Sequence, residues 1–422
     1  GMSEAIYYDD MVMALQAETT YGELPGAFAP AHAVQAKQFQ VQPLQGDRAT
    51  RELTTPYFGA QPSQLVNKRV TVSHRLDAIC AGATKLDAGE APAHAAETRA
   101  CGLAETIVAP AATVQASPPT AVDVPTGDFT YTAGDPYQGI VDRTVTLTCT
   151  NAGGSGVAEF TVAAPAVYHL PAYEQTGVVM TDGQPFALPG NATIEPTVGT
   201  DFASGDEFTI QLTAPGTFYT PISRAFDSAY ALFQMDRNYH PLRGLRGTVG
   251  FECQADSFLD FIYELTALFG TPMDAAPYTP DFSAFEDPTV VSNDTTPWFV
   301  IDGVEYPMRS FNFQLGQNVV KRSLVGQEAV RTTGRSASGS ITIELPDVAT
   351  KNFFDEIARN AATVPVELIH GTARGGVFHP QIPRAELANP RISEDQGVAM
   401  LQMDLTALPS DAGNDEVTLA IK

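Results

Sequence analysis

The side chains able to do chemistry are plentiful in this sequence but scattered. Its seven histidines (32, 74, 94, 169, 240, 370 and 379) include no pair at the i,i+4 spacing of a helical zinc site. His240 and His379 each precede a proline, which predicts turns. The four cysteines, Cys80, Cys101, Cys149 and Cys253, form no C-x-x-C pair, and small or apolar neighbours predict buried free thiols. There is no phosphate-binding Gly-x-x-x-x-Gly-Lys-Ser/Thr loop, no His-Glu-x-x-His, no EF-hand loop and no Gly-x-Ser-x-Gly elbow. Acidic neighbours such as Asp9-Asp10 read as solvated surface. The expectation is a chain that is not an enzyme, with no catalytic, cofactor-binding or metal-ligating residues and no cofactor.

Composition narrows the partners. The 422 residues carry 49 acidic against 24 basic side chains, a net charge of −25. A chain so acidic is poorly suited to gripping phosphates, because that affinity comes mainly from Lys and Arg. It is equally poorly suited to an anionic membrane surface. Apolar residues make up 44%, enough for real cores, yet no apolar run reaches the ~18 residues of a spanning helix. No membrane anchor and no signal-peptide pattern is expected. The length suggests two to four domains.

The elements that would position any site are mostly strands. Short alternating runs such as Val70–Arg75 and Ile341–Glu344, bounded by turn residues, predict antiparallel strands with one buried face. Helical signals are few: the Ala-rich stretch Ala91–Ala100, and a segment after Asp347, taken as its N-cap, with Phe353, Phe354 and Ile357 on one face. Between Pro110 and Pro215 there is one basic residue, Arg143, against eleven acidic ones. That block opens with a linker-like stretch, Val108–Val124. It continues with strands expected at Arg143–Thr150, Val157–Val162 and Glu207–Leu212, the spacing of an immunoglobulin-like sandwich.

Three pairs of segments recur in the same order. Asp236–Arg243 resembles Asp302–Arg309, Gly247–Glu252 resembles Gly339–Glu344, and Glu264–Leu268 resembles Asp404–Leu408. They predict a duplicated β-domain. The second copy fixes the first, so Phe258–Leu268 reads as strand rather than helix. The loop Gly316–Ser338 carries Lys321, Arg322, Arg331 and Arg335 against one acid, Glu328. That local reversal of sign suits an arm docking on an acidic face of another copy.

In series, several segments resemble the bacteriophage tail tube (major tail) proteins of long-tailed phages. They are Ala17–Gly22, the run Pro43–Ala60 with Arg51–Gly59, Arg99–Thr106, Tyr219–Pro221, Leu245–Val249 and Ile392–Ile421. The resemblance spans about 1–107 and 216–422 and leaves 108–215 as an inserted immunoglobulin-like domain. It implies a mainly β fold of two related β-sandwich tail-tube domains with short flanking helices. The expected divisions are 1–60, N-terminal arm and first strands; 61–107 with 216–290, first tail-tube domain; 108–215, insert; 291–422, second tail-tube domain. It further implies a structural virion protein that stacks as rings into the tube through which DNA passes transiently and without sequence specificity. The partners would be copies of itself, with a trimeric ring favoured over a hexamer by the duplication, and other tail proteins at the tube ends. Its place would be the phage tail in the virion, and the bacterial host cytoplasm during assembly. The alternatives are a surface-binding β-sandwich adhesin or receptor-type module, and a carbohydrate-active sandwich with paired carboxylates in a cleft.

Overall fold

The computed structural model describes residues 4–78, 80–110, 119–360 and 363–422. Within them the chain is mainly β, with antiparallel strands and three short α-helices. Eight strands form one continuous layer. Their spatial order is Lys37–Thr50, Ser63–Asp77, Asp260–Phe269, the later half of Asn238–Gln254, Met308–Gln314, Ser338–Glu344, Val398–Ala407 and the later half of Phe378–Asp395. Each alternates, as a strand with one buried face must: Val70, Val72, His74 and Leu76 point inward while Thr71, Ser73 and Arg75 do not.

A second layer covers the inward face, and it is built twice by the same plan. Met11–Ala17 pairs with Ala229–Met235, which pairs with the first half of Asn238–Gln254, flanked in turn by Met273–Asp274. Trp298–Ile301 pairs with Thr363–Ile369, which pairs with the first half of Phe378–Asp395, flanked by Thr418–Ile421. The strands Asn238–Gln254 and Phe378–Asp395 serve both layers. Each is long, 17 and 18 residues, and each carries a bulge that lets it bend. Both halves thus run strand, strand, hairpin, strand, short helix, strand, bent strand, strand, short strand. One core joins them: the Phe251 ring lies 5.1 Å from Phe311, 5.6 Å from Phe313 and 5.3 Å from Phe378.

The duplication lies in a different register from two of the three sequence matches. Glu264–Leu268 and Asp404–Leu408 do fall on equivalent strands. Asp236–Arg243 and Asp302–Arg309 do not; they match because both begin a tight turn with an Asp at positive φ, 50° and 53°. Gly247–Glu252 lies on a bent strand, whereas Gly339–Glu344 lies on the counterpart of Ser63–Asp77. Those two segments share the pattern of a central strand and not a position.

The excursion after the first half's two helices, Ala83–Asp87 and Ala95–Arg99, has no counterpart in the second half among the described residues. The chain leaves through Leu103–Val108 and returns through Gly216–Pro221, which are paired along their length, Val108 opposite Gly216. Between them a five-stranded sheet (Thr120–Val122, Glu207–Leu212, Arg143–Asn151, Glu159–Ala164, Tyr173–Val179) and a three-stranded sheet (Phe186–Ala187, Thr193–Val198, Phe129–Ala133) enclose a separate core around Phe160, Phe202 and Phe208. The linker-like stretch 108–124 lies partly, at 111–118, outside the described residues.

Other expectations need correction. The helix after Asp347 spans Phe353–Ala358 and is capped by Asn352, whose side chain accepts from Asp355 N; Asp347 accepts from Ala349 N in a preceding turn. Ala91–Ala100 yields only the helix Ala95–Arg99, Pro92 being held in the turn before it. The strand expected at Val157 begins at Glu159, after a turn closed by Val157 N to Gly154 O. His240 and His379 lie within strands, and the prolines after them are accommodated there, Pro241 opposite Leu232 and Pro380 opposite Leu419. The loop Gly316–Ser338 is a regular hairpin, Gln317–Leu324 paired with Gln327–Arg335. Gly316 at its root has φ +66°, and a Cβ there would stand 2.1 Å from Ser336 O.

Candidate assembly surfaces

The chemistry-bearing side chains go largely into the core. Glu97 on the helix Ala95–Arg99 faces His74 Nε2, both buried, and His94 Nδ1 meets Thr98 Oγ1 at 2.9 Å, which in turn meets the Tyr263 hydroxyl at 2.8 Å. These contacts fasten the helix to the sheet beneath it. All four cysteines are free and buried, and burial pushes the thiols of Cys80 and Cys253 up to about 12. Among the described residues no group of three or more His, Cys, Asp or Glu side chains could hold a metal ion.

The outer face of the eight-stranded layer is polar, and besides its ion pairs it carries the exposed acids Glu264, Glu344 and Glu386. Gln40, Gln42, Thr71, Ser73, Asn312 and Thr406 alternate with the buried positions of their strands. The charges on this face are mostly paired: Lys37 sits 2.5 Å from both Asp77 and Asp260, Arg75 sits 2.5 Å from Glu252, and Arg391 sits 2.9 Å from Asp404. The net charge of −25 is not concentrated there.

Among the described residues, both edges of this layer are unpaired. At one end the strand Lys37–Thr50 bonds only to Ser63–Asp77. At the other, the segment 387–395 bonds only to Val398–Ala407, and there Ile392 is 63% exposed. Open edges of this length are sites for adding another strand.

Each half also carries an arm where its second and third strands meet. The arm of the second half, Gln317–Arg335, folds across the outer face of the first half. Val330 N donates to the Tyr21 hydroxyl at 2.6 Å, Arg246 Nη1 donates to Val330 O at 2.7 Å, and Gln317 N donates to Thr248 Oγ1 at 3.1 Å. The Arg246 guanidinium stacks 4.6 Å over the Tyr21 ring, and burial lowers its pKa. Arg335 is clamped to Glu416 and donates to Ile222 O. The basic arm anticipated as a docking element for another copy is therefore seated on its own chain, because the hairpin root places it over the adjoining half. The arm of the first half, residues 46–68, stands free. Tyr57 and Phe58 at its tip are 72% and 105% exposed, and Leu44, Leu53 and Val66 are exposed beside them.

The insert is docked rather than merely tethered. Ile140 and Val141 pack on Ile369 and Val377, with Tyr168 against Trp298. Lys422 Nζ, buried in this seam, donates to Ile140 O at 3.0 Å and lies 3.0 Å from His379 Nδ1. His379 Nε2 faces Glu367 at 3.4 Å. Burial lowers Lys422 to about 8 and holds His379 below the usual imidazole range, Glu367 pulling the latter partly back. Burial raises Glu367, but its hydrogen bonds to His379 and Tyr168 outweigh that and leave it below the usual carboxylate range.

No family model matches the chain, and no curated protein matches its sequence. Sequence reasoning missed Tyr21, Arg246, Lys422 and Ile392 as individual residues. Tyr21, Arg246 and Ile392 lay inside the segments Ala17–Gly22, Leu245–Val249 and Ile392–Ile421 that carried the resemblance, which was their only signal.

Proposed function

We propose that the chain is a structural, self-assembling subunit of a phage tail tube, without catalysis, and that copies join through the two free edges of the eight-stranded layer. One observation carries this: the layer is two four-stranded units joined edge to edge, and its free ends are the two sides of that same joint. Inside the chain, Gly250, Phe251 and Glu252 pair with Gln314, Phe313 and Asn312. Carrying the repeat through the equivalent pairs Leu265 and Leu405 puts Arg391, Ile392 and Ser393 opposite Gln42, Val41 and Gln40 of a second copy. Exposed Ile392 would be covered by Val41, with the strands antiparallel as at the internal joint. Such a contact is heterologous, and in this proposal its rotation closes, which makes a ring rather than an open helix.

Strand geometry favours three copies. At ~4.8 Å per strand and ~40° tilt, three eight-stranded layers make a barrel about 50 Å across its backbone and two make one of about 30 Å. Lined with side chains, the wider barrel admits a B-form duplex and the narrower one does not. The amides, hydroxyls, ion pairs and carboxylates such as Glu264 and Glu344 of the outer face would line it, offering phosphates little to bind. In such a tube the inserts lie outside. In sedimentation velocity and electron microscopy over a concentration series, Ile392→Asp should abolish rings while leaving the monomer folded. Rings formed equally by that variant would refute the edge joint. The alternative of a surface-binding module gains no support from any particular feature of the insert.

A further inference from the structure

The two arms are equivalent elements in unequal circumstances. The second arm lies on the half that precedes it across the internal joint. The first arm has no preceding half in its own chain. Its own second half cannot serve, because the first arm rises from one edge strand and the free edge of the second half lies seven strand spacings away, about 34 Å. The equivalence can be followed residue by residue. Counting seven residues outward from the sheet pairs Gln42–Thr71 and Gln314–Ser338 along the leading strand of each hairpin reaches Ala49 and Lys321, and their cross-strand partners are Gln64 and Val330, the latter one residue further from its root than the former. In the second arm those positions are buried against the first half. In the first arm they are exposed.

The matching seat on the second half is also open. The counterpart of Arg246, the residue that grips Val330 O, is Glu386, which is exposed. The grip would therefore be reversed in sign. Arg48 and Arg51 flank Ala49 and Thr50 on the first arm, and neither they nor Glu386 have an ion-pair partner among the described residues. A basic stem meets an acidic seat, which fixes register between subunits.

Given the ring proposed above, on which this inference rests, we propose that the first arm of each copy seats on the second half of the neighbouring copy, over Glu386 and Thr406. The occupant of the seat is a second copy of this chain. The arm would then close each joint a second time, across the face, where the strand edges close it in the plane.

The test is photo-crosslinking of the full chain with p-benzoylphenylalanine placed at Gln64, an exposed position. Ring formation is followed by sedimentation in the same samples. The expected result is a two-chain adduct that maps to residues 384–408 of the other chain. Reversing Arg48 and Arg51 to Glu should lower its yield about tenfold, and adding Glu386→Arg should restore it. Rings whose adducts map to the first half, to other arms, or not at all would overturn the arm contact and leave the edge joint standing. A chain that forms neither rings nor adducts at any concentration would overturn both.

Discussion

Lys422 and His379 set the terms on which the insert is held. The Lys422 ammonium is buried, with a pKa lowered to about 8 against 10.5 in an exposed lysine. A lysine lowered on folding costs stability below its folded value, and the cost disappears as pH rises towards the unfolded one. Relative to a Lys422→Met variant, the wild type should gain on the order of 3 kcal/mol between pH 8 and 10.5. Thermal melts of the two proteins across that window would check this, and a flat difference would contradict the buried charge. His379 works at the other end of the scale. Its neutral form is favoured in the fold, so its contribution is complete above about pH 6.5 and falls as acid protonates it beside Lys422. The protection of amide hydrogens across the seam, measured against the intrinsic exchange rate at each pH, should fall below pH 6 in wild type and less so in His379→Gln. None of this was legible in the sequence, where His379 carried only the signal of a following proline. The seam joins residues far apart in the chain, and spacing carries no trace of such contacts.

At the scale of elements, alternation was the reliable guide. Strands such as Glu207–Leu212 and Arg143–Thr150 could be placed because one face is buried and one is not. What alternation could not give was register between halves. Turns with Asp at positive φ and central strands with close-packed glycines recur wherever that geometry recurs, so two of three matches marked similar circumstances and not equivalent positions. The hairpin Gln317–Arg335 was hidden for another reason: its polar, charged strands rest on a polar face, so no apolar periodicity marked it. The insert shows what element-level topology permits. Val108 and Gly216 end the paired strands that carry it, and they directly face each other. Replacing 109–215 by a two-residue turn should leave the repeats folded. It should also lower their melting temperature by several degrees, because Ile369, Val377 and Lys422 lose their cover. Circular dichroism and calorimetry of the shortened chain would check both. A chain that failed to fold would mean the insert is integral to the core.

Among the described residues the molecule has two large cores, one spanning both repeats and one inside the insert, with the small seam cluster between them. Calorimetry should therefore resolve two unfolding transitions. Phe251→Ala, which empties the aromatic cluster between the halves, should lower only the repeat transition, by roughly 3–5 kcal/mol. A single transition shifted as a unit would mean the seam couples the two completely. The mainly β class was legible from composition and alternation. The fusion of the halves into one sheet was not, because it depends on which edges meet. That fusion is what leaves two complementary edges at the ends of one layer, and the proposed ring depends on it. The most direct test is electron microscopy of concentrated wild-type protein, alone and with a tail-tip initiator, beside Ile392→Asp. The account predicts rings of three subunits that stack into tubes for the wild type and monomers for the variant. A wild type that stays monomeric even with the initiator, or rings that persist in the variant, would contradict it.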